Sequence, residues 1–133
     1  MEYNITINGL GNFYLEKELV DENLLFICKN NNTKYLVTAY NYDIDNYILC
    51  KITNETLLDM LTQKITMEQA FRKSDKIYET YIEDNSDTIY YKEYKSSKFN
   101  GSKLPNVGAY YKVASQYILD YINFIKTEIE NSK

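Results

Sequence analysis

Histidine and tryptophan are absent from this 133-residue chain, and proline and arginine occur once each, at Pro105 and Arg72. Without histidine there is no imidazole to act as a base near neutral pH, no Ser–His–Asp or Cys–His arrangement and no imidazole metal ligand. Cysteine is scarce, with only Cys28 and Cys50. Small secreted domains commonly carry several disulfides, whereas these two residues lie within apolar, β-favouring runs and read as buried free thiols. The four glycines form no phosphate-cradling loop, and no C-x-x-C or H-E-x-x-H pattern occurs. No apolar run approaches the roughly 20 residues needed to cross a bilayer, and MEYNITINGL has no basic leader. A soluble cytoplasmic protein without a membrane partner is therefore expected. The net charge of −4 opposes binding to duplex nucleic acid.

What is present is ordinary for a globular chain, with 44% hydrophobic and 26% charged residues. The length points to one α+β domain spanning 1–133. Asn, Lys, Ile and Tyr are prominent, the last 15 times, a bias that fits an AT-rich coding source such as a low-GC bacterium or its phage.

The runs Asn4 to Leu10 and Phe13 to Val20 alternate and read as a hairpin. Leu24 to Lys29, Lys34 to Asn41 and Tyr47 to Ile52 read as three further strands, the first two joined by an Asn triplet suited to a tight turn. An antiparallel meander with Phe26 opposite Val37 and Val37 opposite Cys50 gathers Leu24, Phe26, Cys28, Tyr35, Val37, Ala39, Ile48, Cys50 and Ile52 on one face. Leu25, Ile27, Leu36, Tyr40, Tyr47 and Leu49 fall on the other. A sheet apolar on both faces must be covered on both, by helices or by a partner chain.

Thr53 and Asn54 can cap a helix carrying Leu57, Leu58 and Leu61. Thr66 and Gln69 match a capping box opening a second short helix with Ala70 and Phe71 inward. Lys76 to Glu83 and Thr88 to Lys95 form a tyrosine-rich hairpin. Lys95 to Asn106 reads as a flexible loop. Val107 to about Glu130 reads as one long helix with the stripe Val107, Tyr111, Ala114, Ile118, Tyr121 or Ile122, Ile125 and Ile129. The expected fold is thus an antiparallel β-sheet meander with two short helices and one long C-terminal helix.

The stretch YILCKITNETLLDMLTQKITMEQAF, Tyr47 to Phe71, resembles an uncharacterised small bacterial or phage domain built as a strand, a Leu-rich short helix, a Lys-Ile turn and an Ala-Phe helix. Ile52, Glu55, Leu57, Leu61, Lys64, Ile65, Ala70 and Phe71 carry the likeness, and Gln63 stands where that pattern has glycine. The resemblance implies an α+β fold and no established activity, and it assigns no functional residue.

Candidate chemistry is sparse. Ser96-Ser97-Lys98 and Ser102-Lys103 set hydroxyls beside ammonium groups, but catalysis would need a desolvated lysine. Asp43 with Asp45, and Glu83 with Asp84 and Asp87, sit in turn-like segments that favour Asp for backbone reasons alone. No catalytic residue, cofactor or metal is therefore expected. An anion or nucleotide ligand could be met by Lys92, Lys95, Lys98, Ser102 and Lys103, interleaved with Tyr91, Tyr94 and Phe99 before the expected helix start. Tyr90, Tyr94, Tyr110, Tyr117 and Phe124 offer aromatic surface for a protein partner or a second copy of the chain. The expectation is a non-enzymatic interaction protein, a phage or mobile-element accessory that inhibits a host defence protein, acting alone or as a homodimer. The alternative is a binder that sequesters a phosphorylated or nucleotide-like molecule in the Lys92 to Gly108 region.

Overall fold

The computed structural model describes residues 4–20, 24–39, 46–83, 87–105, 108–113 and 115–133. Seven strands follow one another around a closed barrel: β1 (Asn4–Ile7), β2 (Gly11–Val20), β3 (Leu25–Asn30), β4 (Thr33–Ala39), β5 (Tyr47–Lys51), β6 (Lys76–Ile82) and β7 (Ile89–Lys95). Each neighbouring pair along the chain is antiparallel. Strands of a meander alternate in direction, so the first and seventh run the same way and can close only in parallel. They do so at Ile7 and Ile89, supported by the Asn8 N–H donating to the Ile89 carbonyl at 2.8 Å. This closure overturns the open meander expected above.

The prediction of two apolar faces is answered without a partner chain. One face curls inward and fills the barrel with Ile5, Ile7, Phe13, Phe26, Cys28, Tyr35, Val37, Tyr47, Leu49 and Tyr78. Phe13 meets Tyr35 edge-on at 4.9 Å, and Phe26 meets Tyr47 at 6.1 Å. A gap of about 10 Å³ lies among Ile5, Ile7, Phe13, Cys28, Val37, Tyr47 and Leu49, at the lower limit for one water. These side chains fill the barrel as core.

The other face carries Leu25, Ile27, Leu36, Ile48, Cys50 and Ile77 against three helices, α1 (Asn54–Leu61), α2 (Met67–Arg72) and α3 (Gln116–Asn131). Leu57, Met60, Leu61, Phe71 and Ile125 from those helices are fully buried, each contributing on the order of 1.5–3 kcal/mol. The caps expected from sequence form. Thr53 accepts from the Thr56 N–H, and Thr66 and Gln69 make the reciprocal capping box.

The pairing of β4 with β5 differs from expectation by one residue. Phe26 lies opposite Val37 as expected, but Val37 faces Leu49 rather than Cys50. A one-residue slip exchanges the faces of a strand. Tyr47 and Leu49 therefore point into the barrel, while Ile48, Cys50 and Ile52 meet the helices. Cys28 and Cys50 consequently lie on opposite faces of the wall as free thiols. Burial raises the Cys28 thiol to about 12, with a smaller contribution from Glu16, and burial raises Cys50 as well. Tyr40 lies outside the described residues.

Two register irregularities in β2, between Leu15 and Lys17 and between Glu18 and Val20, leave Glu16 and Leu19 as extra residues opposite β3. Bulges re-aim side chains. Here Phe13 and Leu15 pack inward, whereas Leu19 joins the helix-covered core and Glu16 reaches residues of β4 and α3.

The C-terminal helix begins at Gln116, not near 107. Gly108 has φ +80, a left-handed conformation incompatible with a continuing helix. Tyr111 is buried but not helical, and its hydroxyl donates to the Leu19 carbonyl at 2.6 Å. Val107 and Ala114 lie outside the described residues. Lys95 to Pro105 is tied down by two 3₁₀ turns, by burial of Phe99 and Leu104, and by Arg72 donating to the carbonyls of Ser96 and Phe99. Among the described residues no helix is long and apolar enough to cross a membrane.

Candidate functional surface

The lysines singled out from sequence are spread over separate contacts. Lys103 pairs with Glu79 at 2.8 Å, and the Lys92 ammonium lies 5.5 Å from the Tyr81 ring centre. Lys95 closes the β7 ladder opposite Lys76. Lys98 and Ser102 are exposed on the two 3₁₀ turns. Phe99 is buried edge-on to Tyr94 at 5.3 Å, and Tyr91 packs against the barrel-filling residues. The expected helix start does not stand beside them. The candidate carboxylates Asp43, Asp45 and Asp84 lie outside the described residues. Among the described residues no three of Cys, Asp and Glu gather as metal ligands.

The aromatic residues divide differently. Tyr90 is half-buried and stacks on Tyr81 at 5.7 Å, and Tyr94 packs on the helix-side core. Tyr110, Tyr117 and Phe124 are exposed, Tyr117 most of all at 74% and Phe124 at 48%. Ile118, Tyr121, Ile122 and Ile125 are the buried residues of α3. Tyr117, Tyr121, Phe124 and Glu128 follow at spacings of four, three and four, so they form one edge of the helix beside that buried stripe. The Tyr121 and Phe124 rings stack at 6.0 Å.

A charged network runs beneath this edge. Lys34 is only 7% exposed, and its ammonium meets Glu16 at 3.0 Å and Glu128 at 2.5 Å. The Tyr121 hydroxyl donates to Glu16 at 2.5 Å. Burial, with the Glu16 hydrogen bond and the charges of Glu16 and Glu128, raises Tyr121 far above the usual phenol range. The Lys34 ammonium lies 5.5 Å from the Phe124 ring centre, and Lys17 lies 5.2 Å from that of Tyr117. Strand β4 thus holds the helix through a lysine, and the β2 bulge supplies its carboxylate. Tyr117 and Phe124 thus each have a lysine ammonium near one ring face, with much of each ring left uncovered.

Sequence reasoning named Tyr117 and Phe124, which are exposed, but missed this network. Lys34, Glu16 and Glu128 come from segments far apart in the chain. The only local signal was a lysine beside the apolar run Tyr35 to Val37.

No family model matches the chain, and neither the curated proteins nor the solved structures searched contain a match.

Proposed function

We propose that this chain is a non-enzymatic protein-binding module and that the Tyr117–Phe124 edge of α3 is its contact face. The supporting observation is the exposure of two large rings that are nonetheless held in position. Tyr117 lies over Lys17, and Phe124 is stacked on Tyr121 above Lys34. Aromatic residues of this kind dominate binding energy at protein interfaces, and a positioned ring loses little side-chain freedom on docking. Leu119, also exposed, lies on the opposite flank of the helix and enlarges its apolar character.

The non-enzymatic reading draws on the lack of histidine, and the buried Lys34 presents no free amine. A nucleophilic or basic lysine needs a free amine facing its substrate, whereas this ammonium is engaged by two carboxylates. The phage-borne, host-inhibiting role belongs to the same proposal and draws on chain size and composition.

Native mass spectrometry tests self-pairing on this face. A homodimer has twice the 15.8 kDa chain mass, and Tyr117→Ser with Phe124→Ser should return it to monomer with the fold retained. A dimer unaffected by both substitutions would remove this edge from the interface.

A further inference from the structure

The ladder between β5 and β6 is short. Its register pairs Ile48 with Glu79 and Leu49 with Tyr78, and it ends there. Continued by two residues, it would set Lys51 directly opposite Lys76. Beyond Leu49 and Tyr78 the two strands make no further pairing, and an open cleft of about 500 Å³ lies at this mouth of the barrel. That volume is typical of small-molecule sites, which occur at barrel mouths.

Thr33, Lys51, Thr56, Lys73, Lys76 and Tyr78 contribute to the walls. Lys76 is paired with Glu93 at 3.2 Å. Among the described residues Lys51 and Lys73 take part in no ion pair. Asp75 is the one carboxylate in the wall, so the cleft is locally cationic on a chain of net charge −4. Ile52, Ala70 and the Tyr78 ring add apolar surface. The Thr53 hydroxyl, which also borders the cleft, is already engaged as the cap of α1. Selectivity therefore rests on the lysines and the apolar wall.

We propose that this cleft binds a small organic phosphate, with the phosphoryl group between Lys51 and Lys73 and the carbon skeleton against Ile52, Ala70 and the Tyr78 ring. The site is independent of the α3 edge, and it lies on different residues from the Lys92 to Gly108 region considered from sequence. An ammonium is a point-charge phosphate ligand, and two of them can flank one dianion. The apolar wall distinguishes an organic phosphate from the free ion. Lysine-dominated binding of this kind weakens as salt rises.

Thermal unfolding of the full chain with AMP, glucose 6-phosphate, glucose or inorganic phosphate tests the proposal. A rise of several degrees is expected with at least one organic phosphate at roughly 100-fold its Kd, and none with glucose. Lys51→Gln combined with Lys73→Gln should weaken binding at least tenfold. Both side chains are exposed, so the unliganded midpoint should hold. Amide chemical shifts in the wild-type chain should move at Ser74 and Asp75 on titration. The proposal is overturned if neither organic phosphate shifts the midpoint, if inorganic phosphate shifts it equally, or if the double variant binds as the wild type does.

Discussion

Replacing Lys34 with Met keeps the length and apolar stem of the side chain and removes one charge. Glu128 would then lose the cation it meets across the seam between the barrel and α3, and Glu16 would keep only Lys29, at 3.9 Å. Breaking a buried ion pair from one side costs about 3–5 kcal/mol. Glu16 keeps 13% of its side-chain exposure and Glu128 keeps 30%, so water can relieve part of that cost. The lower end of that range, about 3 kcal/mol, is therefore expected. For a chain of this size that corresponds to roughly 10 °C in melting temperature, readable by circular dichroism and by the urea midpoint. Adding Glu16→Gln should recover part of the loss, because it removes a carboxylate left with only the more distant Lys29, while its amide oxygen can still accept from Tyr121. A Lys34→Met variant that melts within about 2 °C of wild type would refute the idea that this network holds α3 to the barrel.

Other outcomes follow from single contacts. Gly9 has φ +92, and a Cβ there would stand 2.9 Å from Cε1 of Tyr91. Gly9→Ala should therefore lower the unfolding free energy from urea titration by about 1–3 kcal/mol, and more than Gly108→Ala, which has open space around it; equal losses would contradict the close approach. Tyr111→Phe removes the donor to the Leu19 carbonyl and should cost about 1–3 kcal/mol by equilibrium unfolding; no loss would show that carbonyl to be otherwise satisfied. Cys28 has its thiol raised from 9.0 to about 12, so the native state retains a proton that the unfolded chain releases. That stabilisation is present below pH 9 and declines between pH 9 and 12, by about 1.4 kcal/mol per pH unit for one such group. Urea midpoints that stay flat from pH 8 to 11 would contradict burial of the thiol.

The local elements were legible because their signals are local. Thr53, Thr66 and Gln69 announce α1 and α2, and the alternation of Lys76 to Lys95 announces β6 and β7 to within a residue or two. The two-sided apolar character of β3, β4 and β5 was also readable. That same character hid the register of β5. Tyr47 with Leu49 and Ile48 with Cys50 are both apolar pairs, so hydrophobic patterning cannot choose which pair faces inward. Barrel closure rests on the pairing of Ile7 with Ile89, a contact between distant segments with no local signature. The start of α3 was misplaced because Tyr111 continues the spacing of the helical stripe although it is buried from a non-helical segment. Gln63 shows the opposite case. It stands where the resembling pattern has glycine, yet it adopts φ +62, and its side-chain amide donates to the carbonyls of Leu61 and Tyr111. The glycine-type turn survives because the side chain contributes hydrogen bonds to it. At the candidate surface, helical spacing placed Tyr117 and Phe124 together, whereas the Glu16–Lys34–Glu128 support depends on a bulge that no residue in β2 advertises.

Site-specific photo-crosslinking in the cells that make the protein tests the binding face most directly. A benzophenone side chain at position 117 should yield a discrete adduct, at twice the chain mass for self-pairing or at another fixed mass for a different protein. The same group at Thr6, exposed on β1, should yield none. No adduct at position 117, or the same adducts from both positions, would contradict the assignment of α3 as the contact face.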